Sequence, residues 1–159
     1  MKKSVLIAVV LGFATMSMLA QMPGDRGEAS LEMAGGKVVI DYGRPSLGGR
    51  DIKAMIQPGM EWRMGSNAAT TLSTDVDLKF GDKSVSKGKY VLKAKFIDEG
   101  KWNLLVVKDK STVAEVPLTV GSSSTPAEKL TITLDKKGND AVFLLSWGNM
   151  TLSTPFQKA

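Results

Sequence analysis

Gly88-Lys89-Tyr90-Val91-Leu92-Lys93-Ala94-Lys95-Phe96-Ile97 is the stretch that decides the fold. Tyr90, Leu92, Ala94 and Phe96 alternate with Lys89, Lys93 and Lys95, and a period of two gives an extended chain one buried and one wet face. Val91 is the exception. After Asp98-Glu99-Gly100, the same period returns in Trp102, Leu104 and Val106, within Lys101 to Lys108. Two such runs joined by a short polar turn predict an antiparallel hairpin.

Working outward, the pattern from Ala69 onward is almost purely β. Strands are expected over Ala69 to Ser73, Asp75 to Phe80, Val113 to Val120, Lys129 to Leu134, Ala141 to Trp147 and Met150 to Pro155. Turns are expected at Gly81-Asp82, Asp109-Lys110-Ser111 and Lys136 to Asp140, and Gly121 to Thr125 reads as a flexible loop. Upstream, Glu28 to Met33 and Lys37 to Tyr42 flank Ala34-Gly35-Gly36 as a first hairpin. About ten short strands with almost no helical periodicity predict an all-β, single-domain antiparallel β-sandwich of jelly-roll type over residues 28–159.

Gly43 to Gly65 interrupts that pattern. Glycines and prolines at 43, 45, 48, 49, 58, 59 and 65 predict one long irregular loop, with at most a short helical turn at Asp51 to Gln57. Loops of this length in compact domains are usually functional or disordered, and Ile52, Met55, Ile56 and Trp62 argue for order.

The chain has 159 residues, 43% hydrophobic and 23% charged, with no cysteine and no histidine. Disulfides, thiolate nucleophiles, histidine-based triads and metal sites that need imidazole or cysteine thiolate are thereby excluded. Lys2 and Lys3 precede an uncharged stretch from Ser4 to Gln21 whose apolar centre is Val5 to Phe13, the layout of a signal peptide over residues 1–20. Residues 21–27 read as a short leader. A cut after Ala20 removes two lysines from the net charge of +5 and leaves 19 basic against 16 acidic groups. The expected location is therefore periplasmic or secreted, with no membrane span once the signal is cleaved. No lipoprotein cysteine is available.

The unusual side chains concentrate between Asp41 and Asn67. Arg44, Arg50 and Arg63 are planar donor forks for an anion, and Tyr42 and Trp62 are faces for a ring. Tyr42, Arg44, Arg50, Trp62, Arg63, Asn67 and Thr70 form the candidate binding set, lining a polar pocket. The alternative is that the arginines staple the loop by bonding backbone carbonyls and the carboxylates of Asp41, Asp51 and Glu61. Asp41 and Glu61 also define a second hypothesis, a carbohydrate-active hydrolase with paired carboxylates. A third is a structural or assembly protein that docks a partner through a sheet face or edge.

Other readings are weaker. Asp75, Asp77 and Asp135 to Asp140 match no calcium loop and read as solvated turns. Met55, Met60 and Met64 suit packing better than copper. Lys83, Lys87, Lys89, Lys93 and Lys95 read as a wet sheet face rather than a nucleic-acid stripe. No cofactor, no metal and no catalytic residue is expected. The partner class is a small molecule, a glycan or an envelope protein.

The blocks Asp41-Tyr42-Gly43-Arg44-Pro45-Ser46, Gly49-Arg50-Asp51-Ile52, Pro58 to Thr70 with its Trp62-Arg63-Met64-Gly65-Ser66-Asn67 centre, and Gly88-Lys89-Tyr90 resemble the signatures of the domain-of-unknown-function 2911 family. Glu115-Val116-Pro117-Leu118, Glu128 to Ile132 and Leu145-Ser146-Trp147-Gly148 through Pro155-Phe156 are similar to it as well. The resemblance implies a secreted bacterial protein with a β-rich fold and no established activity. Members tend to carry an aromatic where this chain has Gly59, and often Thr or Ala where it has Met64 and Ser66. The expected function is an exported binding or envelope-associated module whose site lies in the 42–70 loop.

Overall fold

The computed structural model describes residues 25–159; the expected signal peptide and residues 21–24 of the leader lie outside the described residues. Among the described residues no helix is long and apolar enough to cross a membrane. The elements are β1 (Arg26–Met33), β2 (Gly36–Gly43), α1 (Ile52–Met55), β3 (Glu61–Trp62), β4 (Thr70–Thr74), β5 (Leu78–Phe80), β6 (Lys83–Val85), β7 (Gly88–Asp98), β8 (Lys101–Lys108), β9 (Ser111–Lys137) and β10 (Asp140–Lys158). The all-β, antiparallel architecture expected from the sequence is the one observed.

The strands form one sheet in the order β1-β2-β4-β7-β8-β9-β10-β5-β6, with β3 paired to β7. It folds over on itself through its two long strands. β9 pairs with β8 over residues 111–118, then with β10 over most of its remaining length. Val38, Ile40, Leu72, Leu92 and Leu104 of the first layer thus face Leu134, Phe143, Phe156, Leu78 and Phe80 of the second across a void of only about 10 Å³. Such close packing is the density of a native interior.

In β7 the alternation behaves as the sequence predicts: Tyr90, Leu92, Ala94 and Phe96 are buried. The exception is explained by register. Val91 lies opposite Val107 on the outer face, next to the Lys93–Leu105 pair, so lysine stems and a small apolar strip cover one another there.

Several boundaries differ from expectation. β1 starts at Arg26, inside the expected leader. The Gly121 to Thr125 run is strand and not a flexible loop: Gly121 and Ser122 pair with Thr151 and Met150, so the two strands expected on either side are one. A Cβ on Gly121 would lie 2.6 Å from the Thr151 hydroxyl, which is the close approach this glycine permits. The last two expected strands likewise merge into β10, with register shifts on either side of Gly148. Between the Thr131–Ser146 and Ser122–Met150 pairs, eight residues of β9 span three of β10, so the excess bulges out before the ladder resumes. Two short strands, β3 and β6, lack the length to show a period of two in the sequence. The helical turn is present but only four residues long, and the Asp51 side chain caps it by accepting from Lys53 N.

Candidate functional site

β3 and β4 lie end to end along one edge of β7. Trp62 pairs with Ala94 and Thr70 with Leu92, so residues 63–69 are an excursion from what would otherwise be a single strand. The excursion carries two non-glycine residues at positive φ, Met64 (53°) and Asn67 (63°). Met64 is fully buried and its carbonyl accepts from Thr70 Oγ1. The backbone of the excursion docks on the end of β2. A Cβ on Gly43 would lie 2.1 Å from Ser66 O, and one on Gly65 would lie 2.8 Å from Gly43 O. Two glycines face each other because neither side leaves room for a side chain.

The arginines act first on backbone. Arg44 Nε donates to Leu130 O (3.1 Å) and its Nη2 to Thr131 Oγ1 (3.1 Å), tying the end of β2 to β9. Arg63 Nη1 donates to Asn67 O at 2.6 Å, across the excursion. Arg50 holds its own turn through Leu47 O (2.9 Å) and Ser46 O (2.7 Å). Arg26 does the same work from β1: it pairs with Asp41 and donates to the carbonyl of Ala68. It lies in the expected leader, where nothing in the sequence marks it. Tyr42 is buried; its hydroxyl accepts from Ile132 N (3.0 Å) and donates to Ile132 O (3.4 Å). Asp25 starts the described chain with an ion pair to Lys129, whose hydrogen bond and charge hold the Asp25 carboxyl below the ordinary aspartate range.

The open space lies beside these staples, at one end of the sandwich. It is a cavity of about 250 Å³ walled by Trp62, Trp102 and Trp147, which are all the tryptophans of the chain. Trp62 stacks on Trp147 (centroids 5.7 Å apart, planes at 15°) and meets Trp102 at 6.1 Å and 63°. Phe96 backs Trp102 at 5.1 Å. Ile52, Met55 and Ile56 of the α1 segment, with Met60, form an apolar roof. Gly148, at φ 57°, seats this roof, since its Cβ position is 3.2 Å from Leu47 Cδ2 and 3.5 Å from Ile52 Cδ1. Pro45, Gly65 and Ser66 close the remaining side.

Of the seven residues selected from sequence, Arg50 and Trp62 line this cavity. Tyr42, Arg44 and Thr70 are bonded within the fold, and Arg63 and Asn67 are exposed on the excursion. The cavity is aromatic and aliphatic rather than polar, and Arg50 is the one ionisable residue in its lining. Its guanidinium carbon lies 5.7 Å from the centre of the Trp147 ring, in cation–π range. Trp102 was legible as an inward position of its strand and Trp147 only as the end of one, and no local signal in the sequence brings either to Trp62. The Nε1 of Trp147 is buried with no acceptor among the described residues, an unusual state for an indole N–H.

Asp41 and Glu61 do not come together as a pair. Asp41 lies opposite Thr71, which lies opposite Val91, while Glu61 lies opposite Lys95. Four residues along β7 and one strand across place their Cα atoms about 14 Å apart. Each carboxylate is also taken by its own cation, Arg26 and Lys93 respectively.

No curated protein and no solved structure matches the chain. A family model described as "Protein of unknown function (DUF2911)" matches residues 25–156, a span that holds every residue of the cavity lining. The chain therefore belongs to that family.

Proposed function

We propose that the chain is an exported binding module that takes a small ligand into the three-tryptophan cavity. The observation that carries this reading is the convergence of all three indoles, from β3, β8 and β10, on one opening roofed by an ordered loop. Large aromatic faces left around open space are the usual lining of a small-molecule site. Binding is favoured over catalysis because the lining holds no carboxylate, and Arg50 is a poor proton donor or acceptor at neutral pH. The exposed large apolar side chains, Met55, Ile97, Val113 and Val120, are spread over α1, β7 and β9, which supports partner docking less than the cavity supports a ligand.

The test is a melting screen against small aromatic, sugar and peptide ligands, run on the wild type and on Trp62→Ala. A ligand at about a hundred times its Kd should stabilise the wild type by about 2.7 kcal/mol, and the variant should lose that response. Trp62 is half-buried, so its truncation should cost less than the roughly 3–5 kcal/mol of a core tryptophan. An undiminished response in Trp62→Ala would place the ligand elsewhere.

The export half of the proposal is supported by Lys2, Lys3, the apolar run Val5 to Phe13 and Ala20. Intact mass of the chain recovered from a periplasmic fraction should lack residues 1–20. Recovery of the uncut chain from the cytoplasm would overturn it.

A further inference from the structure

We infer that the occupant of this cavity is a small planar aromatic anion, a one- or two-ring carboxylate with its ring among the indoles and its charge on Arg50. The inference rests on the ligand-binding reading above and adds the ligand's chemical class. Size sets the first limit. About 250 Å³ falls below the roughly 300–1,000 Å³ of sites for drug-sized ligands, so the cavity suits about two fused rings.

Wall geometry sets the second. Trp62 stacks on Trp147 and meets Trp102 in a T-shaped contact at 63°, and all three rings border the open space. Aromatic rings favour those two approaches, offset stacking and edge to face. Sugars stack on tryptophan as well, but each hydroxyl removed from water needs a hydrogen-bond partner. Besides the indole N–H groups, which only donate, Arg50 and Ser66 are the polar side chains of the lining, so a ligand rich in hydroxyls would leave many of its own donors unpaired.

Charge sets the third. Among the described residues no carboxylate forms an ion pair with Arg50. Its bonds to Leu47 O and Ser46 O fix the guanidinium beside Trp147 and use two of its five N–H groups. A planar cation held in place by backbone, with donors to spare, is suited to a carboxylate fork. The Trp147 Nε1 is buried away from open space, so the anionic group falls to Arg50 and not to this indole.

Calorimetric titration of the full chain with 2-naphthoate, the uncharged 2-naphthalenemethanol and cellobiose tests the class. The acid should bind at least about tenfold more tightly than the alcohol, because a charge-assisted hydrogen bond is worth that much. Cellobiose should give no heat. Arg50→Met should bring the acid to within about twofold of the alcohol. Arg50→Lys, which keeps the charge without the fork, should retain part of the preference and guards against a loop that is merely disturbed. Equal binding of acid and alcohol by the wild type, or tighter binding of cellobiose, overturns the aromatic-anion class while the cavity remains a binding site. No heat from any of the three also overturns it. In that case a Trp62-dependent hit in the melting screen preserves the binding reading, and the lack of any such hit removes both.

Discussion

Gly43→Ala should destabilise the protein by about 3 kcal/mol or more, lowering Tm by roughly 10 °C. The added methyl carbon would sit 2.1 Å from Ser66 O, 2.7 Å from Ser66 N and 2.9 Å from Ser66 C. All three are backbone atoms, so no side-chain rotation relieves the clash. The excursion at 63–69 must move, and with it Met64, which is fully buried, and Gly65 and Ser66, which line the cavity. Ligand response and stability should therefore fall together. Gly100→Ala is the control. Gly100 sits at φ 74° with open space around its Cβ position, so only the conformational penalty of about 1–2 kcal/mol applies. Equal losses from the two substitutions, measured by urea unfolding, would show that the Gly43–Ser66 approach is not the constraint described.

Trp102→Ala should cost about 3–5 kcal/mol, the largest single loss expected among the cavity residues. Trp102 is 3% exposed, packs on Phe96 at 5.1 Å and meets the edge of Trp62, and it belongs to β8 near the middle of the sheet order. Its removal merges a void with the existing cavity and takes one aromatic contact from each of Phe96 and Trp62. Trp62, by contrast, lies on a two-residue strand and is only half-buried. The two truncations should thus separate: Trp102→Ala mainly in the unfolding midpoint, Trp62→Ala mainly in the ligand response. A smaller loss for Trp102→Ala than for Trp62→Ala would reverse the assignment of core and site.

The comparison of these two indoles also shows what a sequence reports well. The alternation in β7 and β8 placed Trp102 and Phe96 on an inward face, because each strand's pleat decides side-chain direction locally. Trp62 stood out because it lies in a loop rich in arginine and glycine. What the sequence could not show is that Arg44, Arg63 and Tyr42 bond backbone within the fold while Arg50 reaches the cavity. The three arginines are identical side chains, and the backbone partners of these four residues lie from 3 to 90 residues away. Backbone acceptors carry no residue identity, so no sequence pattern distinguishes a staple from a binding group.

The same reason accounts for the strand boundaries. Gly121 to Thr125 has the composition of a loop, yet Gly121 and Ser122 are held in pairs with β10 through long-range hydrogen bonds. Local propensity yields to a ladder formed by the neighbour.

By itself the sequence determined the class of the protein: period-two alternation with short polar turns commits the chain to antiparallel strands, and the absence of cysteine and histidine removes thiolate and imidazole chemistry. The tertiary structure alone decided which side chains meet. It folded one sheet over so that Trp62, Trp102 and Trp147, far apart in the chain, enclose one space, and it set Asp41 and Glu61 on separate strands with separate cations. Periodicity is a local property of a strand, whereas a site is a matter of register and layer contact between strands distant in sequence.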